Sequence, residues 1–474
     1  MRIDHRTELQ HPVQDVLTWH ERPGALVRLT PPGIARIADP EAGGLDVGRR
    51  TRVLLGPPAL PGPAHLTWEL RHAERDDVGE GDEAVHRFVD QQVTGPFRAW
   101  RHEHTMSGAG AGRSVLEDHL DVELPAATDL AGSLSRGRAE WTARRSIGQM
   151  LAFRSAQLHD DLAFHARHAR APRLTVAIAG ASGLIGTQLT ALLRTGGHTV
   201  LRMVRGREAG PGEIAWDPQR GLLDPADLEG VDAVVNLAGR PISSRFTPRT
   251  EQEMLSSRTS TGELIARTLA GMSDGPRVLL QASAIGYYGA DRPGEQLTED
   301  AAPGDDVLAQ VCRAWEASSR PAIDAGVRVV HLRTGIVLSD GGGALLPQIP
   351  LFLAGAGGRL AARGAMISWI TLDDMVRAYA HALLSDELSG PVNAVGPQPV
   401  SSAEFARTLG RVLHRPALIP TPAFGPALVL GREGARELVR ADQDVDASRL
   451  LGSGFAPEYP ELEEALRHVL HRGA

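Results

Sequence analysis

The chain has 474 residues, 42% of them hydrophobic and 23% charged, with a net charge of −8. That is ordinary for a globular protein of roughly two to four domains. The acidic balance and the scattering of arginines give no basis for nucleic acid or an anionic membrane as a partner. The single cysteine, Cys312, excludes an internal disulfide framework and a cysteine-based zinc cluster. All 50 Lys+Arg residues are arginine, so no step that needs a lysine, neither a Schiff base nor a Tyr–Lys proton relay, can run on this chain.

The start, Met1-Arg2-Ile3-Asp4-His5, lacks the apolar core of a signal peptide. No apolar run approaches the roughly 20 residues that span a bilayer. The cytoplasm is the expected location.

Residues 1–168 read as one α+β domain. Strand-like stretches at 50–55, 65–72, 83–93 and 114–122 alternate with Gly/Pro/Asp turns. A long segment over 139–168 carries Ile147, Met150, Leu151, Leu158, Leu162 and Phe164 at helical spacing. Strands followed by one long helix describe a sheet that curls around that helix. His102 and His104 would share a face of a strand and, with His86 and Asp90 upstream, could ligate a metal. No ligand set converges in sequence, so they read as cavity-lining or surface histidines and no metal is expected.

Ala169-Arg170-Ala171-Pro172 reads as a linker, and a second domain spans 173–420. Leu174-Thr175-Val176-Ala177-Ile178-Ala179 is a continuous apolar run, the mark of a parallel strand buried on both faces. Further strands are expected at 198–204, 233–237, 277–282 and 327–332, with helices between them, for example 186–195 and 251–270. This alternation predicts an α/β fold, a Rossmann-type doubly wound parallel sheet. Pro416, Pro420 and Pro422 mark a break before a small, mainly helical domain over 421–474 that ends in a helix at 462–470.

The strongest motif is Gly180-Ala181-Ser182-Gly183-Leu184-Ile185-Gly186, which follows a buried strand and opens a helix. Its first glycine permits a tight turn, the second admits a pyrophosphate against the backbone, and the third packs helix on strand. The helix N-terminus then offers N–H donors and a partial positive charge to phosphates. The next strand ends Val204-Arg205-Gly206-Arg207, without the acid that binds a ribose 2′-hydroxyl in NAD-specific folds. Arg205 suits a 2′-phosphate instead, with Arg207 or Ser182 assisting, so the expected cofactor is NADP(H). The turn Asn236-Leu237-Ala238-Gly239 lets the chain pass beside the adenosine and ribose.

Together with Ser283-Ala284-Ile285-Gly286-Tyr287-Tyr288-Gly289, these motifs resemble the extended short-chain dehydrogenases of the sugar-nucleotide epimerase type. Asn236-Leu237-Ala238-Gly239-Arg240-Pro241-Ile242, Val311-Cys312-Arg313-Ala314-Trp315-Glu316 and Ser368-Trp369-Ile370 are similar to an atypical, epimerase-like branch, which carries a small C-terminal domain. Trp19-His20-Glu21-Arg22-Pro23-Gly24 and Gly95-Pro96-Phe97-Arg98-Ala99-Trp100-Arg101-His102-Glu103-His104 resemble the helix-grip fold of polyketide-cyclase and START-like proteins. That second resemblance implies a cavity for a small apolar ligand, or a partner surface, in the first domain.

The epimerase resemblance implies that Ser283 orients the substrate, that a tyrosine on the following helix moves the proton, and that a lysine one turn later lowers the tyrosine pKa. Counting on from Ser283 puts Leu308 and Cys312 at those last two places. Two readings follow. Hydride transfer proceeds with Tyr287 or Tyr288 as the acid, or the domain binds NADP(H) without turnover as a sensor or scaffold. Cys312 reads as a small buried apolar residue, Arg333 as a substrate-binding or structural arginine, and Asp373-Asp374 as N-cap and first-turn acids of a helix. The remaining expected partners are a carbonyl or sugar-nucleotide substrate and a second copy of the chain.

Overall fold

A computed structural model describes residues 1–39, 43–56, 65–125, 133–242, 244–417 and 424–472. Pro420 and Pro422 lie outside the described residues.

The chain opens with β1 (Arg2–Leu9), α1 (Val13–Glu21), α2 (Ala25–Arg28), β2 (Ala35–Ile37), β3 (Arg50–Leu55), β4 (Leu66–Val78), β5 (Val85–Thr94), β6 (Ala99–Gly108) and β7 (Ser114–Glu123), then α3 (Ser133–Arg167). The strands form one antiparallel sheet in the order β1-β7-β6-β5-β4-β3-β2. α3 brings Ile147 and Leu151 into one apolar cluster with Trp68 and Trp100, and Leu158 and Leu162 into another with Trp19 and Met106. Sequence periodicity misses β1 because one of its inward positions is His5, which bonds Ser155 of α3 at 2.8 Å instead of offering apolar surface. It also starts the long helix late, at 139 rather than at Ser133, because the first turns carry no apolar stripe.

The second part runs through β8 (Thr175–Ala179), α4 (Leu184–Thr195), β9 (Thr199–Val204), β10 (Glu213–Asp217), β11 (Leu222–Leu223), β12 (Ala233–Asn236), α5 (Pro248–Ala270) and β13 (Val278–Ala284). It continues with β14 (Asp291–Leu297), α6 (Val307–Ala317), α7 (Arg320–Asp324), β15 (Arg328–Thr334), β16 (Ile336–Leu338), α8 (Gln348–Leu353), β17 (Met366–Ile367), β18 (Trp369–Thr371), α9 (Leu372–Leu384) and β19 (Gly390–Ala394). The main sheet has the order β11-β10-β9-β8-β12-β13-β15-β19, and every neighbour pair except β10–β11 is parallel. Val176, Ala177, Ile178 and Ala179 are all 0% exposed, because helices cover both faces. One apolar layer joins the sheet to α4 and α9, the other joins it to α5 and α7. The strand order reverses between β8 and β12, and a doubly wound sheet places its ligand crevice at such a switch point.

The chain ends with β20 (Val400–Ser401), α10 (Ser402–Leu413), α11 (Phe424–Val439), β21 (Asp442–Val445), α12 (Ser448–Gly452) and α13 (Leu462–Val469). This end is helical apart from the short β20 and β21, and β21 pairs in parallel with β14 and ties this end to the main body. β16 pairs with β18 and β17 with β20. No helix among the described residues is long and apolar enough to cross a membrane.

The two sheets meet through a buried ionic joint. Arg28 of α2 holds Asp161 of α3 with two bonds of 2.8 and 2.9 Å, Gln188 of α4 at 2.8 Å and Asp373 of α9 at 2.8 Å. Arg377 lies 3.1 Å from Asp161 and 3.5 Å from Asp374. Asp373 and Asp374 are therefore first-turn acids of α9 as expected, but the N-cap is Thr371, whose hydroxyl accepts from the Asp374 N–H. Gly24 sits against α4 with φ +100°, and a Cβ there would lie 2.7 Å from Ala191 Cα. Only glycine permits both that backbone conformation and that approach.

Candidate functional site

The loop after β8 has the geometry its glycines imply. Gly180 adopts φ +83°, and a Cβ on it would lie 2.9 Å from the Leu237 carbonyl carbon. A Cβ on Gly186 would lie 2.2 Å from the Gly180 carbonyl oxygen. Gly183 is the N-cap of α4 and carries no side-chain cap, so the first-turn N–H groups stay free for an anion. Ser182 and Gly183 are exposed, Leu184 and Ile185 half-buried. They border a cleft of about 620 Å3 whose opposite wall comes from the first part of the chain, with Arg36 and Ile37 of β2 and Pro32 and His65 beside the strands.

The turn after β12 is fixed by its first residue, Asn236, through hydrogen bonds that spacing does not reveal. Asn236 is fully buried, its Oδ1 accepts from the Ala238 N–H at 3.1 Å, and its Nδ2 donates to Gln281 at 3.1 Å. Leu237 N donates to Ala179 at 2.9 Å, so this turn lies against the strand that leads into the glycine loop. Gly239 leaves room for Arg258 of α5, whose guanidinium carbon would lie 3.2 Å from a Cβ there. Arg258 sits over the Trp315 ring at 4.9 Å and has no ion pair among the described residues.

At the end of β9 the arginines divide. Arg207 pairs with Glu213 at 2.5 Å, and that bond, with the Gly210 N–H, pulls the Glu213 carboxyl down to about 2. Arg202 also holds Glu213, at 2.7 Å, while lining the cleft. Arg205 is exposed and makes no ion pair among the described residues.

The other end of the site is built from side chains. Ser283, at the end of β13, is 3% exposed and donates to Glu316 of α6 at 2.7 Å. Arg333, at the end of β15, grips the same carboxylate with two bonds of 2.9 and 3.0 Å. The third face of Arg333 reaches Tyr288 Oη at 3.0 Å and the Glu299 carbonyl at 3.0 Å. Tyr288 is fully buried and donates to Asn393 at 2.6 Å, and burial pushes its phenol up to about 12. Tyr287 keeps partial solvent access, and its ring lies under the Arg333 guanidinium at 3.5 Å.

Leu308 and Cys312, which stand where the resemblance puts tyrosine and lysine, pack beneath the turn that carries these two tyrosines. A Cβ on Gly286 would lie 3.3 Å from Leu308 Cβ and 3.7 Å from Cys312 Sγ. Cys312 is 4% exposed, and burial, then Glu316, push its thiol up to about 12. At that value it is not a nucleophile. Arg333 and Glu316 thus form a buried pair that orients Ser283, a triad that sequence spacing does not reveal because its members come from three separate elements.

Residues 176–320 match the NAD dependent epimerase/dehydratase family, and residues 421–469 match a domain of unknown function, DUF1731. A structure of the nucleoside-diphosphate sugar epimerase from Corynebacterium glutamicum superposes with a TM-score of 0.79 at 32% identity, covering 99% of this chain and 90% of that one. A human epimerase family protein, SDR39U1, solved with NADPH, superposes with a TM-score of 0.57 at 34% identity over 62% of this chain and 99% of that one. The epimerase family protein Mb2239 of Mycobacterium bovis is 42% identical over 298 residues, which is 63% of this chain and 98% of that protein. The chain belongs to the NAD dependent epimerase/dehydratase family.

Proposed function

We propose that the chain is an NADP(H)-dependent reductase of carbonyl compounds, with sugar nucleotides as the first class to test. The observation that carries this reading is the uncapped N-terminus of α4 at the cleft, with Arg205 exposed at the end of the neighbouring strand. Ser182, Gly183, Leu184 and Ile185 would hold the pyrophosphate, with Gly180 and Gly186 shaping the loop. Arg205 would take the 2′-phosphate by charge-assisted bonds, and Leu237, Ala238 and Gly239 would lie along the adenosine and ribose. The NADPH-bound human relative supports this choice of cofactor.

When bound, the cofactor supplies a hydride. The chain's own residues would orient the carbonyl and deliver a proton. Ser283, held by Glu316, would bond the substrate oxygen. Tyr287 would donate the proton, because it retains solvent access while the Tyr288 hydroxyl is engaged on both sides. A phenol without a lysine beside it is a poor base at neutral pH but a competent acid toward a developing alkoxide. The chemistry is therefore biased toward reduction. The first part of the chain would close the cleft from the opposite side.

The test is a fluorescence titration with NADPH and NADH, followed by NADPH oxidation against carbonyl compounds and sugar nucleotides. Preference for NADPH with turnover is expected, and Tyr287→Phe should lower kcat by about 100-fold or more, whereas Tyr288→Phe should act through stability. NADPH binding without turnover on any of these would replace the reductase with a non-catalytic sensor. The absence of lysine and the apolar filling at Leu308 are what support that second reading. Failure to bind either nucleotide would remove both.

A further inference from the structure

The curl of the first sheet encloses a cavity of about 150 Å3. Its walls include Trp68, Phe88 and Trp100, which suit an apolar ring or chain. One patch of the wall is strongly polar. His102 and His104 alternate along β6, so both face the same side of the sheet. Register then assembles the rest. Asp118 of β7 stands opposite His104, Asp90 of β5 opposite His102, and His72 of β4 opposite Asp90.

The geometry converges on one point. His102 Nε2 and His104 Nδ1 each lie 2.8 Å from the same oxygen, Asp118 Oδ1. The two imidazole centroids are 3.8 Å apart. One nitrogen of each histidine and one Asp118 oxygen all lie within 4.8 Å of one another. The three residues are 2%, 1% and 5% exposed. Despite these short distances neither nitrogen of His104 has a hydrogen bond of proper geometry. A buried imidazole left in that state calls for an explanation such as an ion.

We propose that His102, His104 and Asp118 hold a divalent first-row transition-metal ion of the zinc type, with its open coordination position facing the aromatic cavity. Two imidazoles and one carboxylate are a donor set for such ions, not for calcium or magnesium, which take oxygen cages. Tetrahedral bonds of about 2.0–2.1 Å place donors about 3.3 Å apart. The present 2.8 Å contacts need to open by only about half an ångström. The supporting shell is also in place. A metal-binding histidine usually gives its other N–H to a carboxylate. His104 Nε2 lies 3.5 Å from Asp90, which is itself held by His72 at 2.6 Å. Arg154 of α3 lines the same cavity and adds a fixed positive charge. The ligand class is a small apolar molecule carrying an anionic oxygen, a carboxylate or phenolate, bound to the metal and facing Arg154. His86, which the sequence grouped with this pair, instead bonds Asp77 at 2.8 Å and takes no part.

Cobalt(II) titration of the chelator-treated full-length protein tests this without any turnover assay. One equivalent should bind with visible d–d absorption, and that absorption should vanish in His104→Gln and Asp118→Asn. Asp90→Asn, which alters only the supporting shell, should weaken binding about 10–100-fold. His119→Gln, on the opposite face of β7 and paired with Asp4, should bind cobalt like the unmodified chain. Thermal unfolding identifies any variant that fails to fold. In that case the Asp90→Asn shift and the cobalt-induced rise in Tm of the unmodified chain decide the matter. No stoichiometric uptake by the unmodified chain, or uptake unchanged in all three cluster variants, would overturn the proposal and leave the cluster as a charged His104 held between Asp118 and Asp90.

Discussion

The two ends of the family-type site are built from different material. The glycine loop after β8 works through backbone, with Gly180 at φ +83° and a contact at Gly186 that no side chain fits. The Ser283 end works through side chains gathered from β13, α6 and β15. The first end keeps the motif that the fold requires. At the second, leucine and cysteine stand in the helix positions that would carry tyrosine and lysine, and a buried arginine–glutamate pair sits beside them. At Gly180 and Gly186 the backbone admits no side chain without a clash, whereas a side-chain constellation can be rebuilt residue by residue around a preserved helix. Conformity at the glycine-loop end is therefore poor evidence about chemistry at the other.

That contrast can be broken or sharpened by substitution. The largest effect is expected for Glu316→Gln, which leaves Arg333 buried and uncompensated at 2% exposure. A loss of about 3–5 kcal/mol in unfolding free energy is expected, measured by denaturant titration. A loss below 1 kcal/mol would mean that the pair is not the frame of this end. Gly183→Val comes next. Gly183 has an ordinary φ of −75°, and its Cβ would meet only the Gly180 carbonyl, at 3.3 Å. The fold should survive while NADPH affinity falls about 100-fold, through loss of charge-assisted bonds worth roughly 1.5–3 kcal/mol each. Retained affinity would show that the loop does not carry the cofactor.

A smaller effect links the C-terminal part to the same contrast. Glu437 of α11 accepts from the Val307 and Leu308 N–H groups, at 3.3 and 2.8 Å, and so clamps the start of α6. Burial, with Asp306 and Glu433 nearby, pushes its carboxyl up to about 7. The folded chain thus binds this proton more tightly than the unfolded one, whose carboxyl titrates near 4.5. The stabilisation is complete below that lower value and is lost as pH rises toward about 7. The loss should be on the order of 2 kcal/mol. Glu437→Gln should remove this slope from the pH dependence of Tm, and an unchanged slope would exclude Glu437 as its source. Smallest is Arg205→Ala, which should weaken NADPH about 10-fold, one charge-assisted bond, and leave NADH unchanged. Equal loss for both would move the 2′-phosphate contact elsewhere, with Arg202 in the cleft the next candidate.

What the sequence by itself determined is what local physics dictates. The apolar run 174–179, the glycine spacing that follows it, and the β-α alternation beyond all point to a doubly wound parallel sheet with a tight glycine turn after its first strand. Composition alone excluded lysine chemistry, and the lone cysteine read correctly as buried and apolar. Asn236 was visible as a turn residue, yet its role depends on a hydrogen bond to Gln281, on the neighbouring strand. The triad of Ser283, Glu316 and Arg333 was out of reach for the same reason, since its members are separated by whole elements and joined only when β13 and β15 pair. Asp118 completes the histidine cluster through the β6–β7 register, which no spacing rule predicts. The tertiary structure alone decided the joint between the two sheets, where Arg28 meets Asp373, 345 positions further along the sequence. Charges can be buried at such a place only when partners from distant segments arrive together, and their arrival is a property of packing rather than of any local pattern.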